Sequence, residues 1–286
     1  MVENQVQLRD GRRVGYADFG RPEQTAVLWC HGGPGSRIEP MNLAPIASAA
    51  GFRIVGIDRP GYGKSTLRPG RSIADWVPDG LAVADHLGIS RFVAVGVSTG
   101  GAYALALAAS APARVSGVIA CCALTDMRWA EGKAMMGTEG TREVWEARDR
   151  AAAIALIEDR FGPDGSKMFA SAAGPSTLPP ADLALMADPA FMAGMLKAFP
   201  EMFASGVQAY VDDRLADGPG WGSFDVGKIR CPVTVLHGEK DSICPVAHAR
   251  HTATVVPGAK LVVVPELGHF SIMSKIVEAL TAVGAA

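Results

Sequence analysis

The sequence lacks the features that mark nucleic-acid-binding and membrane-spanning proteins. Its 286 residues carry 27 Lys and Arg against 29 Asp and Glu, a formal net charge of −2, and no basic tract. This balance argues against nucleic acid or an anionic membrane surface as a partner. The most apolar stretch, residues 92–124, is interrupted by serine, proline and arginine. No segment therefore supplies the roughly 20 uninterrupted apolar residues that a membrane-spanning helix needs.

Cysteines are few and show no pairing pattern. Their number is odd, no C-x-x-C pair occurs, and the N-terminal residues include no apolar signal segment. We therefore expect reduced thiols in a cytoplasmic protein. The sequence has no H-E-x-x-H motif and no Cys/His cluster at ligand spacing, so we expect neither a metal nor a cofactor. The five cysteines are Cys30, Cys121, Cys122, Cys231 and Cys244.

Short apolar, β-branched segments alternate with segments of helical spacing. The later strand candidates are nearly continuous apolar runs, which is typical of parallel strands buried on both faces. The alternation predicts an α/β protein with a mostly parallel sheet and helices on both faces. The predicted strands are VGYAD (14–18), AVLWC (26–30), FRIVGID (52–58), RFVAVGV (91–97), VSGVIACCA (115–123), PVTVLHG (232–238) and KLVVVPE (260–266).

The alternation stops in the middle of the chain, between about residues 126 and 220. This region has no convincing strand, shows helical spacing, and contains eight of the eleven methionines. We predict a helical cap over residues 126–219, inserted into a core formed by residues 1–125 and 220–286. The Met- and Phe-rich cap suggests an adaptable apolar pocket for an acyl group. The same residues could equally form the core of the cap itself.

A serine between two glycines marks the end of one predicted strand. In VAVGVSTGGAY, Ser98 follows an apolar run and precedes a helical one, with Gly96 and Gly100 on either side. A sharp strand-to-helix turn exposes a serine hydroxyl, and glycines avoid the collisions that a Cβ would cause there. Ser98 is therefore our candidate nucleophile. The alternative is a tight turn with a capping serine.

A serine nucleophile needs a base and an acid that orients the base. His269 follows the last predicted strand and Asp241 follows the preceding one, so both lie at the sheet edge expected for Ser98. The order Ser–Asp–His is the one expected for this arrangement. Asp126, which follows another strand, is the competing acid. His31 and His237 also lie at strand ends, but each begins an H-G pair that is typical of loop structure.

The glycine-rich segment HGGPG (31–35) follows another predicted strand. Consecutive glycines allow backbone N–H groups to turn toward a ligand, as an oxyanion hole requires. The expected donors are the N–H of Thr99, directly after the nucleophile, and the N–H of Gly33, with Gly32 as the alternative.

The motifs HGGPG, DRPGYGKS, GVSTGG, HGEKD and GHFS, in this order, resemble the α/β-hydrolase superfamily. The resemblance covers about residues 1–125 and 220–286 and implies the α/β-hydrolase fold with a Ser–His–Asp triad. HGGPG and GEKDSICP also resemble proline iminopeptidases. In those enzymes a bulky Trp usually follows the nucleophile, where this chain has Thr99. They bind the substrate's amino terminus with carboxylates of the cap. Glu146, in the pair Trp145–Glu146, could serve as such a carboxylate here. Alternatively, Glu146 belongs to a charged helix face.

These observations predict a serine hydrolase of the carboxylesterase type, acting on a small-molecule ester with an apolar acyl group. A proline iminopeptidase-like aminopeptidase is the alternative. A cofactor-free lyase or a catalytically idle ligand-binding protein on the same fold also stays open, because fold and triad do not determine the reaction.

Overall fold

The fold is built on a mostly parallel sheet. In the computed structural model, which describes residues 1–136, 141–168 and 177–284, nine strands form. They are β1 (Val2–Gln7), β2 (Arg13–Asp18), β3 (Thr25–Cys30), β4 (Phe52–Ile57), β5 (Phe92–Val97), β6 (Val115–Cys121), β7 (Ala204–Val207), β8 (Val233–Gly238) and β9 (Lys260–Val264). Eight of them make one sheet in the order β1-β2-β4-β3-β5-β6-β8-β9. The pairs β1–β2 and β2–β4 are antiparallel, and all other neighbours are parallel.

All seven predicted strands are present, and the predicted α/β class with a mostly parallel sheet is confirmed. The edge strand β1 was not predicted. Its sequence, VENQVQ, is mostly polar because much of this strand faces solvent. A strand of this kind has no apolar run by which it could be recognised.

Eleven α-helices occur in the described ranges, and none of them is long and apolar enough to cross a membrane. They are α1 (Ala44–Ala49), α2 (Val77–His86), α3 (Gly100–Ser110), α4 (Ala130–Met135), α5 (Glu143–Glu146), α6 (Arg150–Phe161), α7 (Pro180–Met186), α8 (Pro189–Met202), α9 (Gln208–Asp217), α10 (Ala247–Val255) and α11 (Ile276–Gly284). The cytoplasmic location expected from the cysteines stays a prediction.

Alternate residues of the parallel strands contribute to two separate apolar cores. Leu28 and Cys30 of β3 pack with α2, α3 and α10, whereas Val27 and Trp29 pack with α1 and α11. Successive side chains of a strand point to opposite faces. Because helices cover both faces, the central strands need apolar residues at nearly every position, which explains their continuous apolar runs.

Apart from the short strand β7, the regular secondary structure described between β6 and β8 is helical. Sequence reasoning found no strand here, and four residues are too few to give a periodic signal. Met202 is buried in a third apolar core formed mainly by α5, α6, α8 and α9, and Met168 and Met195 pack against it. These methionines therefore contribute to the packing of the segment itself. The division of the chain into core and cap domains stays a prediction.

A buried ionic cluster ties the helical segment to the sheet. The side chain of Arg37 is fully buried and contacts Glu3 of β1, Asp58 after β4 and Glu201 of α8. A second cluster joins Asp213 of α9 to Arg59 and Arg71. Breaking a buried ion pair leaves an uncompensated charge, so such clusters hold their elements in one arrangement.

Candidate active site

Ser98 occupies the turn from β5 into α3, at the carboxyl edge of the sheet. Its φ is 53°, a left-handed conformation that is strained for a residue with a Cβ and is typical of a nucleophile elbow. A Cβ on Gly96 would lie 2.2 Å from the Gly100 carbonyl oxygen, and a Cβ on Gly100 would lie 2.0 Å from the carbonyl oxygen of Cys30. The collisions expected from the sequence would therefore occur, and only glycine fits at both positions.

His269 and Asp241 form a buried hydrogen-bonded pair in the turns that follow β9 and β8. His269 Nδ1 lies 2.8 Å from Asp241 Oδ2. The other carboxylate oxygen, Oδ1, accepts the backbone N–H groups of Ile243 at 2.9 Å and Cys244 at 2.8 Å. Both oxygens are thus held in place. A histidine whose Nδ1–H donates to a fixed carboxylate has Nε2 available to accept a proton.

The pKa of Asp241 is lowered and that of His269 is raised, and both shifts favour the charged forms of an ion pair. Burial alone would raise the pKa of Asp241, but hydrogen bonds from His237 and His269 lower it well below its ordinary value. Burial alone would lower the pKa of His269, but the hydrogen bond to Asp241 and the charge of that carboxylate raise it above its ordinary value. Asp241 is therefore ionised at neutral pH and stabilises a protonated His269.

Ser98 and His269 come to the same edge, but within the described residues no hydrogen bond joins their side chains. The Ser98 backbone N–H donates to the Cys121 carbonyl at 2.9 Å. The next residue, Cys122, places Sγ within 4.8 Å of ligand atoms of Asp241 and His269. The end of β6 thus connects Ser98 to the His269–Asp241 pair. Catalytic hydrogen bonds are often long without substrate and shorten when it binds.

Three potential metal ligands converge at this point, the one such group found in the described parts of the chain. They are Cys122, Asp241 and His269. Their chemistry does not suit a metal, because burial raises the pKa of the Cys122 thiol well above its ordinary value. A metal would require this thiol as a thiolate. We assign no metal to this group.

The competing residues serve other structures. Asp126 is ion-paired with Arg128, and no hydrogen bond to His269 is found among the described residues. Both ring nitrogens of His31 contact backbone atoms of the surrounding loops. His237 contacts the Cys244 carbonyl, in the loop that carries Asp241.

The loop HGGPG is fixed from two sides. The Gly32 N–H donates to Glu39 at 2.9 Å, and the Gly32 carbonyl accepts from Arg59 at 2.7 Å. In a trans peptide the carbonyl and the following N–H point in opposite directions. The Gly33 N–H therefore points away from Arg59. In the described residues, neither this N–H nor that of Thr99 has a hydrogen-bond partner, so both are available to a ligand.

Asp213 of α9 holds Arg59 in this position. It accepts hydrogen bonds from Arg59, Arg71, Tyr62 and Tyr103, and all five side chains are buried. Burial alone would raise the pKa of Asp213, but the charges of Arg59 and Arg71 lower it far below its ordinary value. A carboxylate from the inserted helical segment thus orients the loop beside Ser98 through one arginine.

Sequence reasoning missed Glu39 and Asp213. The signal that could have identified Asp213 is the charged triplet Asp212–Asp213–Arg214 inside the helical segment QAYVDDRLAD. Charged residues are almost never fully buried unless they are paired, so burial of this triplet would have required partners. The partners lie more than 100 residues away along the chain and carry no matching local pattern.

Glu146, the candidate amino-terminus ligand, lies on the surface. Its side chain is 64% exposed and its carboxylate is 3.5 Å from Arg142. The neighbouring Trp145 instead turns inward, where its indole N–H donates to Asp217 at 2.7 Å. The charged-face interpretation of Glu146 is therefore the one that this geometry supports.

Comparison with known proteins confirms the predicted α/β-hydrolase fold class. Residues 25–276 match the family described as alpha/beta hydrolase fold. A 2-hydroxymuconate semialdehyde hydrolase of Pseudomonas putida is 29% identical, over 92% of this chain and 86% of that protein. A bifunctional esterase/perhydrolase of Acinetobacter calcoaceticus is 26% identical, over 92% of each. The enol-lactonase structure from Burkholderia xenovorans LB400 superposes with a TM-score of 0.75 at 19% identity, over 99% of this chain and 100% of that one.

The similarity to proline iminopeptidases is confirmed but partial. The enzyme of Neisseria gonorrhoeae is 31% identical over 117 residues, which is 40% of this chain and 37% of that protein.

Proposed function

The chain belongs to the α/β-hydrolase family, and on this premise we propose that it hydrolyses a carboxylic ester of a small molecule. Ser98 is the nucleophile, His269 the base, and Asp241 the acid that orients His269. The observation that carries the proposal is the strained Ser98 at the end of β5, beside the buried His269–Asp241 pair at the same sheet edge.

In the proposed reaction, His269 takes the proton of the Ser98 hydroxyl as its oxygen attacks the ester carbonyl. Asp241 stabilises the imidazolium that forms. The tetrahedral intermediate collapses as His269 gives the proton to the departing alcohol, which leaves an acyl group on Ser98. Water, deprotonated by His269, then releases the acid and regenerates the serine.

The Gly33 and Thr99 N–H groups would bind the negative oxygen of the intermediate. Three observations support this role: the Gly32 carbonyl is held by Arg59, the two N–H groups are unengaged among the described residues, and Thr99 lies at the start of α3. A helix N-terminus adds its positive dipole end to such a site. One donor of this kind typically contributes a factor of about 10²–10³ to kcat.

An ester is favoured over an N-terminal peptide bond by the position of Glu146. An aminopeptidase needs a carboxylate in the site to bind the cationic amino terminus, whereas Glu146 is exposed and paired with Arg142. The esterase activity named for the Acinetobacter relative also supports an ester.

The proposal is tested by measuring hydrolysis of p-nitrophenyl esters of increasing chain length beside proline p-nitroanilide. We expect ester hydrolysis that is lost in Ser98→Ala and kept in Ser110→Ala, a matched change at the exposed end of α3. Purified protein should also react with a fluorophosphonate at Ser98. Anilide hydrolysis that exceeds ester hydrolysis would support the aminopeptidase instead. No reaction with any of these reagents would favour a lyase or an idle binding protein.

A further inference from the structure

A buried arginine of α9 lies beside the candidate oxyanion hole. Arg214 is 3% exposed, and its Nη2 donates to the side-chain hydroxyl of Thr99, the residue that follows the nucleophile. A Cβ placed on Gly33 would lie 3.3 Å from the same Nη2. The guanidinium therefore reaches both residues whose N–H groups are proposed to bind the oxyanion.

The hydrogen-bonding capacity of Arg214 is not used up. Its Nε is buried without a partner among the described residues. Asp217 Oδ2 lies 2.8 Å from Nη2, yet it accepts no hydrogen bond there, so this ion pair is poorly aligned. Buried polar groups are nearly always hydrogen-bonded, and an unmet donor costs free energy. A ligand that brings an acceptor to Arg214 would remove that cost.

The neighbouring carboxylates do not complete the site. Asp213 already accepts from Arg59 and Arg71, while Asp217 shares its charge with the Trp145 indole N–H at 2.7 Å. Burial raises the pKa of Asp217 to about 6, which weakens its hold on Arg214 as the pH falls toward that value. Asp217 is also the one carboxylate in ion-pair contact with Arg214 among the described residues.

We infer that Arg214 binds a carboxylate of the substrate, so that the ester cleaved is a half-ester of a dicarboxylic acid. The inference rests on the proposed ester hydrolysis. A planar guanidinium binds a carboxylate through two parallel hydrogen bonds, a geometry that a neutral ester cannot use. Since Arg214 contacts Thr99 and approaches Gly33, the carboxylate lies within a few bonds of the ester carbonyl. This inference differs from the sequence prediction of an apolar acyl group, which stays a prediction.

The test compares monomethyl succinate with methyl 4-methylpentanoate, a neutral ester of the same shape, by the acid released in a pH-stat. We expect wild-type kcat/KM to be at least tenfold higher for monomethyl succinate. In Arg214→Gln this ratio should fall by about 10- to 100-fold, the effect of losing a charged hydrogen bond. Arg214→Lys should recover only part of it, because an ammonium lacks the bidentate fork. Arg150→Gln is the matched control. It removes an α6 arginine that pairs with Asp212, a neighbour of Arg214 on α9, and should keep the wild-type ratio.

Binding of monomethyl succinate to the Ser98→Ala protein, measured by calorimetry, tests the inference without any chemistry. Binding that exceeds that of the neutral ester and weakens with Arg214→Gln in the same background supports it, even if hydrolysis fails. A wild-type preference for the neutral ester, or equal binding of the two, overturns it while leaving ester hydrolysis intact. If neither ester is hydrolysed and p-nitrophenyl esters also fail, the proposed function is wrong.

Discussion

Replacing Asp213 with asparagine removes the charge on which two buried arginines depend. The Asp213 carboxylate lies 2.7 Å from Arg59 Nη2 and also accepts from Arg71, Tyr62 and Tyr103. Asparagine keeps one acceptor oxygen but directs an NH₂ donor toward groups that are themselves donors. Asp213→Asn therefore leaves two guanidinium charges without a counter-charge, at side chains that are fully buried.

The size of the effect follows from this burial. Removing one partner of a buried pair typically costs about 3–5 kcal/mol, because the remaining charge cannot be solvated. A folded protein has only about 5–15 kcal/mol of total stability. We therefore expect Asp213→Asn to lose about 3 kcal/mol or more of its free energy of unfolding. Its ester hydrolysis should fall as well, because Arg59 loses the partner that positions it on the Gly32 carbonyl.

Equilibrium unfolding in urea, followed by circular dichroism, measures this loss. The matched control is Asp212→Asn, the same substitution one residue earlier on α9. Asp212 pairs with Arg150, whose side chain is 29% exposed and can be solvated when the partner is lost. We expect the control to lose less free energy of unfolding than Asp213→Asn, because the Arg150 charge that remains can be solvated. A loss below 1 kcal/mol in Asp213→Asn, or one no larger than in Asp212→Asn, would refute the reasoning.

Three further predictions concern the site. Gly100→Ala should abolish folding or hydrolysis, because its Cβ would lie 2.0 Å from a carbonyl oxygen. The control Gly222→Ala should behave as wild type in unfolding and rate assays, because no atom lies within 4 Å of a Cβ at that position. The rate of ester hydrolysis should rise with pH as His269 loses its proton, with a midpoint above the ordinary histidine pKa, because Asp241 raises the pKa of this residue. In Asp241→Asn, NMR titration should show that pKa lowered; an unchanged value would contradict the pairing. Glu146→Gln should leave hydrolysis of esters and of proline p-nitroanilide unchanged, because this exposed side chain does not reach the site.

The local sequence was sufficient to predict features that depend on hydrophobic periodicity or on steric exclusion at fixed positions. The continuous apolar runs predicted the parallel sheet because strands covered on both faces need apolar residues at nearly every position. The glycines around Ser98 were recognisable because a strained turn excludes a Cβ at fixed neighbouring positions. Asp241 and His269 were expected together because the carboxyl ends of parallel strands meet at one edge.

Contacts between distant segments were decided only by the tertiary structure. No spacing in the sequence indicates that Asp213 pairs with Arg59, 154 residues away, or that Arg214 reaches Thr99, 115 residues away. Which charged residues are buried depends on how the helical segment between β6 and β8 packs on the sheet. Burying a charged side chain costs desolvation free energy, and an ion pair with a buried partner compensates for this cost. Both quantities depend on contacts that form only when the distant segments pack together. The local sequence therefore predicts the site of the chemistry, whereas its proposed selectivity for an anion depends on packing across the chain.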